Sequence, residues 1–233
     1  MATTPAVTAA ATTPPPLPVL LRRVVALAAV AGYVEVTGFL DLGGIYPGIM
    51  TGNTVQLGLN AVRFDWSRLG LIGFAVALFF AGGVVASIIR RHLRQPPLEL
   101  LLMAALLLLA SVLRRHAGAH VPLELPVLAF AMAMQGETIA SFGGISLQTI
   151  VVTNNMVKFS DMLVGRYLPA RGADGTVAKP VALREVLLPG CAWLSYSVAA
   201  GLGALGAAWL GWPLLVPAVV LVLVVLDLLS AGA

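Results

Sequence analysis

Long apolar runs broken by short polar clusters dominate the chain, and their length predicts structure better than any periodicity does. A helix needs roughly 20 apolar residues to cross a hydrocarbon core of about 30 Å. Runs of this kind fall at about 22–42, 47–63, 69–89, 98–113, 124–142, 146–164, 185–210 and 213–230. The pattern predicts an all-α, polytopic membrane helix bundle with six to eight spans. Segments 47–63 and 98–113 are short for a full crossing, and 47–63 and 146–164 are polar for one. Such segments are read as tilted, broken or re-entrant. The longest polar connection, residues 165–184 (GRYLPARGADGTVAKPVALR), carries the Gly, Pro and charged residues of a water-exposed loop.

The first residues differ from the rest. Residues 1–18 are rich in Ala, Thr and Pro and have no charged side chain. They lack the charged start of a secretory signal, so residues 1–20 are expected to form a disordered tail. Residues 21–233 are expected to form a single membrane domain, with the run after Arg22-Arg23 retained as its first span.

Composition narrows the class further. Only 10% of the 233 residues are charged, against about a quarter in an ordinary soluble domain. The net charge of +4 can suggest nucleic-acid binding, but the Arg and Lys residues flank apolar spans and no basic face is drawn. They are read as orientation signals, and no nucleic-acid partner is expected. With the N-terminus in the cytoplasm and eight crossings, ten of these charges fall inside (Arg22, Arg23, Arg63, Arg68, Arg114, Arg115, Arg166, Arg171, Lys179, Arg184). Three, Arg90, Arg91 and Arg94, fall outside. If 47–63 and 146–164 are re-entrant, Arg63, Arg68, Arg114 and Arg115 fall outside and the other nine inside. The eight-crossing arrangement is ahead by a single residue.

The chain also repeats itself. Residues 43–59 (GGIYPGIMTGNTVQLGL) and 143–161 (GGISLQTIVVTNNMVKFSD) both open on Gly-Gly-Ile and run to a Thr-x-Asn core, Thr51-Gly52-Asn53 and Thr153-Asn154-Asn155, with spacings that differ by two residues. Two halves are inferred, about 21–115 and 122–231, each with a short or broken second helix. An odd number of crossings per half would invert one against the other, and an even number would keep them parallel. Four spans per half favour the parallel arrangement. In transporters built this way the site lies where the repeats meet, near the midplane.

These residues also resemble a known family. Gly32-Tyr33-Val34-Glu35, Gly38-Phe39-Leu40, Gly43-Gly44 and Met50-Thr51-Gly52-Asn53-Thr54-Val55 are similar to the signature of the bacterial YoaK-like family. So are Phe130-Ala131-Met132, Met134-Gln135, Gly143-Gly144 and Val152-Thr153 in the second half. The resemblance covers nearly everything after residue 20, and Met-Thr-Gly-Asn-Thr is its most specific element. It implies a small bacterial inner-membrane protein and no particular substrate. Two positions depart from the pattern: Glu35 stands where Asp is usual, and Thr153-Asn154-Asn155 replaces a Thr-Gly-Thr-like triplet.

Polar groups inside spans are the candidates for chemistry, since a charge at the bilayer centre costs about 2.5–3.5 kcal/mol on insertion scales. Glu35 lies about a dozen residues after Arg23, near mid-bilayer, and is read either as a proton or cation site or as the partner of an amide or Lys on a neighbouring helix. Gly44, Gly48, Gly52, Gln56 and Asn60 recur every four residues, which would draw one ridge on a helix. Three glycines there allow close helix approach, while Pro47 and Gly52 can break the helix. Asn53, Gln56, Gln135, Glu137, Asn155 and Lys158 are the candidate solute contacts. Their rival role is interhelical glue, with Lys158 paired to Asp161, Glu137 or Glu35. Asp41 and Asp227 are read as interfacial. His92, His116 and His120 lack metal-ligand spacing, and no nucleophile, phosphate-loop or metalloprotease motif is present. No enzyme activity, metal or cofactor is expected. The sequence points to a small secondary transporter or permeation protein for a small polar solute, proton- or ion-coupled or passive. The alternative is a membrane scaffold or assembly protein with no ligand site. Lipid is the expected surrounding in either case, and a homo-oligomer is compatible with both.

Overall fold

The computed structural model describes residues 15–93, 96–115, 120–138, 141–142, 145–168, 176 and 178–231. Among the described residues eight helices follow one another: α1 (Leu17–Asp41), α2 (Met50–Val62), α3 (Trp66–Leu93), α4 (Pro96–Leu113), α5 (His120–Thr138), α6 (Val152–Tyr167), α7 (Leu183–Trp209) and α8 (Leu215–Ala231). A two-residue antiparallel ladder, β1 (Ser141–Phe142) with β2 (Ile145–Ser146), sits between α5 and α6. The architecture is a helical membrane bundle. Helices α1, α3 and α7 are long and apolar enough to cross a membrane, and α4, α5 and α8 contain shorter apolar helices. Many large apolar side chains point outward, among them Phe80, Val198, Leu202, Leu223 and Leu226, as lipid contact requires. Helix α1 starts at Leu17, behind Pro16 at its N-cap with a second proline, Pro18, in its first turn. Proline is tolerated there because the first N–H groups have no helical partner. The last four residues of the predicted tail are therefore helical, and the rest of it, up to residue 14, lies outside the described residues.

The contacts fix the direction of each helix. We call the side where α1 begins the near face and the side where it ends the far face. Helices α1 and α7 form the most extensive contact and run parallel. Gly32 lies on the backbone of Tyr196, and Gly203 lies on that of Tyr33. The Thr37 hydroxyl donates to the Gly203 carbonyl at 3.3 Å. No larger residue fits at Gly203, where a Cβ would sit 2.6 Å from the Tyr33 carbonyl oxygen. Helix α8 runs back, bringing Asp227 to the near face, where Arg22 and Arg23 both pair with it, Arg23 Nε at 2.6 Å. Helix α4 ends at the far face, where Arg114 meets Asp41 at 2.7 Å. Helix α5 descends from there, with Leu128 against Gly38 and Met132 against Gly48. Lower still, Gln135 Nε2 donates to the Leu27 carbonyl at 2.6 Å.

Helix α2 does not cross. After α1 the chain turns at Gly43 (φ +63°) and Gly44 (φ +89°), a left-handed conformation that glycine adopts at little cost. It then folds back along α1, so that Pro47 packs on Gly38 and Gly48 on Glu35. Helix α2 starts there, six residues before the end of α1 in depth, and returns to the far face. Gln56 Nε2 donates to the Gly44 carbonyl at 2.9 Å, and Arg68 at the start of α3 donates to the Gly43 carbonyl at 2.7 Å. The expected Gly44–Gly48–Gly52–Gln56–Asn60 helical ridge is therefore corrected: Gly44, Pro47 and Gly48 lie in the non-helical segment between α1 and α2, and only Gly52, Gln56 and Asn60 are helical.

Helix α6 does the same from the opposite side. Its first turn shares a cavity with Tyr196 of α7. Its middle residue Phe159 packs on Gly190 and Trp193, and Arg166 Nη1 donates to the Val181 carbonyl at 2.8 Å, just before α7 begins. It therefore enters from and returns to the near face. Among the described residues each half has three helices that run between the two faces, of which α1, α3 and α7 are long and apolar enough to cross a membrane, and one re-entrant helix. The crossing number per half is odd, so the halves are inverted, which corrects the parallel arrangement that four spans per half favoured.

Candidate functional site

Glu35 is 2% exposed, and its Oε1 accepts the backbone N–H groups of Gly48 (3.1 Å) and Ile49 (3.0 Å). These amides precede α2, so a carboxylate holds the start of a half-helix, where the dipole favours negative charge. Gly48 is needed for this approach: a Cβ on it would lie 2.7 Å from Glu35 Oε2 and 2.9 Å from Met132 Cε. The expected alternative of a Glu35–Lys158 pair is not formed. Lys158 is half-buried on α6.

The repeat recurs in atomic detail. Asn53 Nδ2 donates to the carbonyl of Tyr46 at 2.7 Å, seven residues back. Asn155 Nδ2 donates to that of Gln148 at 2.9 Å, again seven residues back. Each clamps the non-helical segment onto its half-helix. The N-caps match as well: Ile49 has ψ 78° and Val151 has ψ 85°, and neither supplies a side-chain cap. Gly143 and Gly144 of the second Gly-Gly-Ile lie outside the described residues, as does the side chain of Glu137 in the last turn of α5.

The two half-helix starts meet at a cavity of about 570 Å³. From the first half it is lined by Gly48, Ile49, Met50 and Thr51, and from the second by Gln148 and Ile150 to Thr153. Phe79 and Gly83 of α3, Ala133 and Gly136 of α5, and Tyr196 of α7 close its walls. Of the residues singled out, Gly48, expected as a helix-packing glycine, lines the cavity, and Glu35, a predicted contact, lies against Gly48. Asn53, Gln56, Gln135 and Asn155 are instead bonded to backbone carbonyls of the chain. Gly52 packs on the Tyr46 ring. The sequence singled out the Asn of each Thr-x-Asn core, whereas the Thr lines the cavity. Tyr196 was not singled out, because a Tyr in an apolar run is ordinary core.

Two buried carboxylates were also missed. Glu99 of α4 is 1% exposed and Glu124 of α5 is 0% exposed. Each stands in the tetrapeptide Pro-Leu-Glu-Leu, at 97–100 and 122–125, and that repetition was the available signal. Glu124 lies within electrostatic reach of Asp41 and Arg114, completing a far-face cluster. Among the described residues no group of three His, Cys, Asp or Glu side chains is arranged to hold a metal ion.

Two inverted halves, re-entrant half-helices and a shared central cavity define a polytopic membrane protein of the inverted-repeat class. The chain belongs to the family described as "Protein of unknown function (DUF1275)", whose model matches residues 24–226. No curated protein and no solved structure matches it.

Proposed function

We propose that the protein is a small secondary transporter or permeation protein of the bacterial inner membrane that carries a small polar solute through the cavity between its halves. The observation behind this is the cavity itself, lined by the first turns of two half-helices that enter from opposite faces. Irregular backbone at membrane depth persists where it is buried in protein or lines an aqueous space, and inverted-repeat transporters bind solute between such segments. Rocking one half against the other would open the cavity to each face in turn. Glu35, anchored to the amides that lead into α2, is the group through which a proton would be coupled. The N-terminus is placed in the cytoplasm, which puts the arginine-rich near face inside. The YoaK-like resemblance agrees with this localisation.

The scaffold reading has one observation in its favour: Asn53, Gln56, Gln135 and Asn155 are engaged within the chain, as they would be in a protein with no ligand. A thermal-shift screen of small polar solutes on the purified chain in nanodiscs separates the two. A solute at 100 times its Kd adds about 2.7 kcal/mol, on the order of 5–10 °C for a chain of this size. The same solute should exchange across proteoliposomes. A screen with neither shift nor exchange would leave the scaffold reading standing.

A further inference from the structure

The donors around the cavity narrow the solute class, and this step rests on the transport reading above. Neither half-helix has a side-chain cap. The backbone N–H groups of the lining residues Thr51, Val152 and Thr153 have no acceptor among the described residues. The first N–H groups of a helix are donors in want of a partner, and here two sets of them open on one space. An independent observation points the same way. Tyr196 lines the cavity, is 8% exposed, and its hydroxyl has no hydrogen-bond partner among the described residues. Thr51 and Thr153 add hydroxyls. Among the described residues no lining side chain carries a formal charge, and the remaining wall is apolar, formed by Phe79, Ala133, Ile150 and Val152.

We infer that the cavity takes a short-chain organic carboxylate. Its head would sit on the amides of α2 and α6 and the Tyr196 hydroxyl, and its apolar tail against Phe79 and Ile150. Such a head matches the positive ends of the two half-helices. The site is made of neutral donors, and Glu35 holds the segment beside it, so a bound anion and an ionised Glu35 oppose each other. Carboxylate and proton therefore enter together, the proton on Glu35. The groups acting on Glu35 are the Gly48 and Ile49 amides and, across from α7, Tyr196, which is also within reach of Tyr46. Met132 is its neighbour from α5.

The test uses the full chain in nanodiscs, with formate, butyrate, hexanoate and butyramide as probes, read by thermal shift and isothermal titration. Butyrate should bind more tightly than formate, butyramide should not bind, and butyrate affinity should fall as pH rises. Tyr196→Phe, which keeps the ring and removes only the hydroxyl, should weaken butyrate about tenfold, the loss of one hydrogen bond to a charged group. In Glu35→Gln the affinity should persist and its pH dependence vanish. Butyramide binding as well as butyrate would overturn the carboxylate assignment and leave the transport reading intact. Absence of binding or flux for every solute would overturn both. Butyrate binding unaffected by Tyr196→Phe would place the carboxylate elsewhere and overturn this site.

Discussion

Replacing Glu35 tests how the first re-entrant segment is held. In Glu35→Leu the N–H groups of Gly48 and Ile49, at 3.1 and 3.0 Å from the carboxylate oxygen, lose their acceptor in a site that is 2% exposed. A buried donor left unpaired costs about 1–3 kcal/mol, so the pair costs about 2–6 kcal/mol. That is a large part of the roughly 5–15 kcal/mol that separates folded from unfolded states. Glu35→Gln keeps a carbonyl oxygen where Oε1 stands and gives up only the charge assistance, so it should cost about 2 kcal/mol or less. Hydrogen exchange followed by mass spectrometry on peptides covering 45–52 reads the segment directly. At tenfold per 1.4 kcal/mol, exchange there should quicken by about one to four powers of ten in Glu35→Leu and by about one or less in Glu35→Gln. Peptides in α8 should be unaffected in both. If Glu35→Leu exchanges at 45–52 as slowly as the unmodified chain, the carboxylate is not the anchor and the coupling argument loses its basis.

Further outcomes follow from the same contacts. Gly203→Val should cost about 3 kcal/mol or more in unfolding experiments, because overpacking of a close helix pair here meets the Tyr33 backbone, 2.6 Å from the added Cβ; a neutral result would mean that α1 and α7 are not packed as described. Asn53→Ala and Asn155→Ala should destabilise by similar amounts, about 1–3 kcal/mol each, because both clamp a segment seven residues back; a large effect at one and none at the other would break the symmetry of the halves. A double-mutant cycle on Asp41→Ala and Arg114→Ala should give a coupling of about 0.5–3 kcal/mol, since both side chains are largely shielded, at 11% and 20% exposure respectively; zero coupling would dissolve the far-face cluster.

The apolar runs made the spans legible, because bilayer thickness converts length into crossings. The depth of Glu35 was legible too, from its place a dozen residues into an apolar run, and it is buried. Its partners were not: the amides of Gly48 and Ile49 come from a segment that folds back along α1, and no periodicity marks a fold-back. The half-helix at 47–63 looked like a short span because the non-helical residues Pro47 to Ile49 are as apolar and glycine-rich as the helix after them. The charge count favoured eight crossings, by a single residue, for a specific reason. Arg114 is tied to Asp41, Arg115 lies 4.6 Å over the Trp212 ring, and Arg68 bonds the Gly43 carbonyl. Three of the four far-face arginines thus have partners distant in sequence, which a count of loop charges cannot weigh. The repeat was visible in Thr-x-Asn, but its inversion depends on crossing number and so on contacts such as Gln56 to Gly44.

The most direct test of the inverted, re-entrant arrangement is the sidedness of Arg63 and Arg91. With Cys191 replaced by Ser, single cysteines at Arg63, Arg91 and Arg22 are labelled in intact cells and in inverted vesicles with a membrane-impermeant thiol reagent. The account predicts that Arg91→Cys labels from the same side as Arg22→Cys, and Arg63→Cys from the opposite side. Eight full crossings would put Arg63 with Arg22 and Arg91 across from them, and that pattern would contradict the inverted halves and the shared cavity built on them.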